Sequence, residues 1–141
     1  MSETVHATSV AIGGRGILIR GRSGSGKSDL ALRLIDRGAR LVSDDYTIVS
    51  ARDGRLWADA PETIAGKLEV RGVGILEVAP ARDVPVCLIA DLDVIPERLP
   101  DVATEETLLG NVIPAIGLAA LEASAPLKLE QALLRFGLPL P

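Results

Sequence analysis

Residues 21–28 read GRSGSGKS, and this octet decides the fold. Gly21, Gly26, Lys27 and Ser28 fit G-x-x-x-x-G-K-[ST], the pattern of a phosphate-binding loop. The spacing has a physical cause. Glycines allow successive backbone N–H groups to turn inward around phosphate oxygens, and the positive end of a following helix adds a favourable field. The motif therefore predicts that Gly21, Arg22, Ser23, Gly24, Ser25, Gly26, Lys27 and Ser28 hold the phosphates of ATP. Lys27 would place a point charge at the β and γ phosphates, and Ser28 would offer its hydroxyl to a bridging magnesium ion. A glycine-rich turn that merely caps a helix, with Lys27 solvated, is the bland alternative; the flanking sequence disfavours it.

On the N-terminal side, Thr8 to Ile12 and Ile17 to Arg20 are two short β-rich runs separated by Gly13, Gly14, Arg15 and Gly16, which predicts a hairpin leading into the loop. On the C-terminal side, Leu30, Ala31, Leu34 and Ile35 fall on one face at helical spacing, and Gly38 supplies a stop. The octet thus sits between a strand and a helix, the context a phosphate loop requires.

Further along, Arg40 to Ser43 reads as a strand ending at Asp44 and Asp45. Thr47 to Ser50, a turn at Asp53 and Gly54, and Leu56 to Ala58 follow. Lys67 to Val78 mixes β-branched residues with Gly72 and Gly74, and Pro85 to Leu92 is a buried-strand candidate. Val112 to Leu118 is one more apolar run. Leu127 to Phe136 then has helical spacing before Gly137. At 141 residues, without repeats or an evident linker, the chain reads as one domain spanning 1–141. The fold class expected is α/β, a mostly β core around one phosphate-loop helix with a short helical tail.

A phosphate loop needs a second magnesium ligand, usually an acidic residue at the end of a neighbouring strand, and Asp44 and Asp45 stand at such a place. Consecutive strand residues point to opposite sides, so both reach one site only if the chain bends there. One aspartate would then stay with the metal while the other takes a proton from an attacking hydroxyl. From the residues alone, Glu69 reads as a solvated strand position and His6, the only histidine, as a surface or packing residue.

Composition excludes several functions. The net charge is -4, whereas nonspecific phosphate-backbone binding needs a basic surface. The only aromatics are Tyr46, Trp57 and Phe136, too few for base-stacking platforms, so no nucleic-acid partner is expected. Cys87 is the sole cysteine and reads as a small buried hydrophobe. No segment reaches the roughly 18 uninterrupted apolar residues of a membrane span, and the N-terminus has no basic stretch. A cytoplasmic protein with no membrane partner is expected. The apolar tail permits an interface between copies.

Three segments in order, GRSGSGKSDLALRLIDRG (21–38), RLVSDD (40–45) and LEVRGVGILEV (68–78), with His6 before them, resemble the catalytic domain of HPr kinase/phosphorylase, whose acceptor is a serine of the phosphocarrier protein HPr. The resemblance covers about residues 5 to 80. It implies a nucleotide-binding core like that of phosphoenolpyruvate carboxykinase. It further implies Mg-ATP-dependent phosphorylation of an HPr-like carrier, with the reverse phosphorolysis left open. By this likeness Ser28 and Glu69 hold magnesium with Asp44 beside them, Lys27 and His6 contact the transferring phosphate, and Asp45 is the proton acceptor. Arg71 and the glycines around it shape the region used in both directions. Two features depart from the family. His6 stands almost at the start, where full-length members carry an N-terminal domain, and no arginine occurs between Arg98 and Arg135, where they supply a glycine-arginine loop. Two alternatives stay open: a nucleotide-binding regulatory module without transfer, and a kinase of the same fold with another acceptor.

Overall fold

The computed structural model describes all 141 residues. Strands β1 (Ser2–Val5), β2 (Thr8–Ile12) and β3 (Arg15–Arg20) lead into helix α1 (Lys27–Asp36). Strands β4 (Arg40–Ser43), β5 (Thr47–Arg52), β6 (Arg55–Asp59), β7 (Lys67–Val70), β8 (Gly74–Glu77), β9 (Val84–Asp91), β10 (Thr104–Leu108) and β11 (Asn111–Gly117) follow, and helix α2 (Ala125–Phe136) closes the chain. Nine strands form one sheet in the order β1-β5-β6-β9-β3-β2-β4. In it β11 pairs with the end of β9, and β10 pairs with β11. β7 and β8 make a separate two-stranded hairpin.

Two central strands position the site. β3 and β9 run parallel, with Arg20 opposite Asp91 at their C-terminal ends. Both are apolar on both faces, as strands buried from two sides must be. Ile17 and Ile19 of β3 and Leu88 of β9 face one core cluster with Leu30 and Leu34 of α1 and Leu129 and Leu133 of α2. Leu18 and Ile89, one residue on, face a second cluster with Val49, Leu56 and Ile113. The alternation is the period of two of a pleated strand. Placing α1 against this sheet fixes the loop that precedes it.

Helix α1 ends as the sequence predicts. Gly38 adopts φ 106°, and the N–H groups of Gly38 and Ala39 close onto the carbonyls of Ile35 and Leu34. Helix α2 carries a proline in its first turn, where no N–H is required. It starts two residues earlier than Leu127. The chain then returns to the sheet, Leu138 donating its N–H to the Cys87 carbonyl and Arg15 donating to the carbonyls of Leu133 and Leu138. Lys67 to Val78 is two strands folded on Arg71 to Val73. Both β1 and β10 lie outside the expected elements. Each is a sheet-edge strand dominated by polar residues, and cross-strand pairing rather than apolar alternation holds it in place.

One surface ion pair gives a pH signature. Asp59 accepts hydrogen bonds from Arg82 Nε at 2.7 Å and from the Ala60 N–H at 2.9 Å. Burial alone would raise this carboxyl, but Arg82 and the amide outweigh it and hold it below the usual range. A depressed carboxyl contributes stability that is present above its unfolded value of about 3.9 and lost as pH falls through the folded value. The melting-temperature advantage of the parent over Arg82→Gln is therefore expected at neutral pH and to narrow below about pH 4. A thermal-melt series would refute this if the gap stayed constant.

Candidate functional site

The octet leaves the end of β3 and turns into α1 as the motif requires. Gly24 and Gly26 have φ of 83° and 100°, which L side chains rarely adopt, and the Ser25 N–H closes a turn onto the Arg22 carbonyl. Lys27 is buried, and its Nζ donates to the carbonyls of Gly21 at 2.8 Å and Arg22 at 3.1 Å, drawing the loop around the ammonium group. Ser25 Oγ is buried inside the loop without a hydrogen-bond partner. Orphaned hydroxyls of this kind are uncommon, and an oxyanion ligand within the loop would satisfy it. Arg22, Ser23 and Gly24 are exposed at the rim.

The two aspartates diverge because the backbone bends between them. Asp45 has φ 67°, in the left-handed region, so Asp44 and Asp45 leave β4 on different courses. Asp44 is buried and fully engaged. Its Oδ1 accepts from the Ser28 hydroxyl at 2.6 Å and the Thr8 hydroxyl at 3.3 Å, and its Oδ2 accepts from the Glu69 N–H at 3.0 Å. Asp45 is exposed and lies 2.9 Å from His6 Nε2, while its own N–H donates to Thr8 Oγ1. The Tyr46 ring lies 5.3 Å from that of His6.

Most of the residues singled out in the sequence therefore meet at one place. Lys27, Ser28, Asp44, Asp45 and His6 converge from the loop, α1, the end of β4 and the turn between β1 and β2. Glu69 joins through its backbone, and its side chain is exposed on the β7–β8 hairpin. Arg71 is exposed at the tip of that hairpin, next to Gly72 and Gly74 with φ of 85° and 127°. The hydroxyl of Ser28 and the carboxylate of Asp44 are hard oxygen donors, the chemistry a magnesium ion selects.

Sequence reading missed Thr8, whose hydroxyl ties Asp44 and Asp45 together; its only signal was a polar residue at the start of an apolar strand. It also passed over Asp91, the last residue of β9, and Asp93 just beyond it. Asp91 accepts from Arg20 Nε at 3.0 Å, and Glu106 binds the same guanidinium. Burial lowers the pKa of Arg20, but these two carboxylates outweigh it and hold the group further above its ordinary range.

Comparison with known proteins gives a consistent set of likenesses. A family model described as the HPr serine kinase C-terminal domain matches residues 1–82. An HPr kinase/phosphorylase of Streptococcus thermophilus is 51% identical over 76 residues, covering 53% of this chain and 25% of that protein. One from Clostridium botulinum is 49% identical over 74 residues, covering 52% and 24%. The chain thus spans about a quarter of the length of these curated relatives. A solved structure of an HPr(Ser) kinase/phosphatase from Coxiella burnetii superposes with a TM-score of 0.82 at 32% identity, covering 94% of this chain and 95% of that one.

Proposed function

This chain belongs to the HPr serine kinase C-terminal domain family, and from that membership we propose that it transfers the terminal phosphoryl group of ATP to a serine of an HPr-like phosphocarrier protein in the cytoplasm. The observation that carries the reading is the convergence of Lys27, Ser28, Asp44, Asp45 and His6 around the mouth of one phosphate loop.

Each residue has a role suited to its surroundings. The amides of residues 23–28 and the Lys27 ammonium bind the phosphates of the nucleotide. Ser28 and Asp44, with Glu69 close by, would hold a magnesium ion, which when bound neutralises phosphate charge. Asp44 has both oxygens committed, so the base is Asp45. Its carboxylate takes the proton of the acceptor serine as that oxygen bonds to the γ-phosphorus and the bond to the β-phosphate bridging oxygen breaks, releasing ADP. His6 orients Asp45 and faces the transferring phosphate. In reverse, an oxygen of inorganic phosphate would bond to the phosphoserine phosphorus as the serine O–P bond breaks, releasing pyrophosphate, and a protonated Asp45 would return its proton to the serine oxygen.

Intact-mass spectrometry of an HPr incubated with this protein and Mg-ATP tests the reading. The expected result is one added phosphate, mapped to a serine. ATP binding in calorimetry with no phosphate on the carrier would instead favour another acceptor or a regulatory module.

A further inference from the structure

The phosphate loop is anchored from outside by a residue that no role above uses. Strand β9 lies parallel to β3 and ends beside it, and the chain continues as Asp91, Leu92, Asp93. The Leu92 N–H donates to the Arg20 carbonyl at 2.8 Å, which carries the segment past the loop's first residues. Asp93 Oδ2 then accepts the Arg22 N–H at 2.8 Å. The Asp93 amide is itself held, donating to Asp91 Oδ1 at 2.9 Å, and Asp91 is held by Arg20. A continuous set of hydrogen bonds therefore runs from Glu106 through Arg20, Asp91 and Asp93 to the second residue of the octet.

The segment has little room to drift. A Cβ on Gly117 would come within 2.5 Å of the Val94 carbonyl, and one on Gly21 within 3.1 Å of Leu92 Cβ. The Leu118 N–H adds a bond to the Asp91 carbonyl at 3.1 Å. Residues 91–94 thus run between the start of the phosphate loop and the end of β11, with Asp93 and Val94 exposed on their outer side.

A loop with glycines at positions 21, 24 and 26 has many backbone conformations, and only a few point its amides inward together. Fixing its first peptide removes part of that freedom before ligand arrives, which raises affinity by cutting the ordering cost of binding. The carboxylate's charge acts in the opposite direction, since it lies against a loop proposed to hold polyphosphate. Positioning and charge therefore predict opposite signs when Asp93 is altered.

We propose that Asp93 is a positioning residue for the phosphate loop, holding the Arg22 peptide so that the loop is set for nucleotide and thereby determining nucleotide affinity. The inference rests on the nucleotide-binding part of the proposed function and is independent of the acceptor.

Calorimetric titration of the full chain with Mg-ATP, across Asp93→Ala, Asp93→Glu and Asp93→Asn, tests it, with amide hydrogen exchange at Arg22 as a second readout. Asn keeps an acceptor at the same reach without the charge, so affinity should equal or exceed the parent's, with Arg22 still protected. Ala loses the acceptor and Glu misplaces it, so affinity should fall about tenfold and Arg22 exchange should quicken. If Ala fails to fold, the Asn and Glu comparison decides alone. Parental affinity in both Ala and Glu, or tighter binding in Ala, would overturn the proposal, as would Asn weakened as much as Ala. No ATP binding by the folded parent would overturn the nucleotide reading with it, so the two failures are distinct.

Discussion

Lys27→Met is expected to lower phosphoryl transfer by a factor on the order of 100 to 1000, with nucleotide affinity falling in the same variant. Methionine keeps an unbranched apolar stem, so the change is confined to the ammonium group. That group is buried and has three donors, two of which bind the carbonyls of Gly21 and Arg22. Its loss would remove the charge proposed to neutralise the β and γ phosphates and would also unpin the loop proposed to enclose them. Lys27→Arg should not restore activity, because a planar fork cannot occupy the place of a point charge held between two loop carbonyls. Calorimetry with Mg-ATP and a rate assay separate the two losses. A Met variant that binds ATP as tightly as the parent would show that the octet is not the nucleotide site.

How much of this was legible in the sequence depends on the range of the interaction involved. The loop, α1 and the strand ending at Asp44 are written in local terms: glycines at fixed offsets, a 3.6-residue apolar stripe, and β-branched runs bounded by turns. All appear where expected, from β3 through β4. The pairing of His6 with Asp45 spans 39 positions and had no forerunner in the sequence: the family likeness named each as a site residue without joining them, and nothing around His6 marks it as other than a surface residue. The left-handed backbone at Asp45 has no local signal beyond an aspartate's tolerance of it. Thr8 and Asp93 were missed for a related reason. Each acts on a partner brought close by sheet pairing, and sheet order is a property of the whole chain. The polar edge strands β1 and β10 went unseen because apolar alternation, the usual mark of a strand, is weak in SETV and TEETL.

Asp45→Asn is expected to lower phosphoryl transfer by a factor on the order of 100 to 10,000 while nucleotide affinity and melting temperature stay close to those of the parent. The asymmetry between the two aspartates makes this a sharp expectation. Asp44 is buried and satisfies hydroxyls of Ser28 and Thr8 and an amide of Glu69, so any substitution there disturbs packing, loop position and the proposed metal site together. Asp45 is exposed, with a side-chain bond to His6 alone, so its carboxylate is available to an incoming hydroxyl. Asparagine, like aspartate, is among the side-chain-bearing residues that best tolerate a φ of 67°, so the backbone bend that separates the two side chains should survive the change. The amide accepts a hydrogen bond from His6 as the carboxylate does but cannot take a proton. A defect confined to transfer, with ATP binding intact, assigns the loss to the proton. Transfer at the parental rate would remove Asp45 as the base and, with Asp44 engaged on both oxygens, would turn attention to His6.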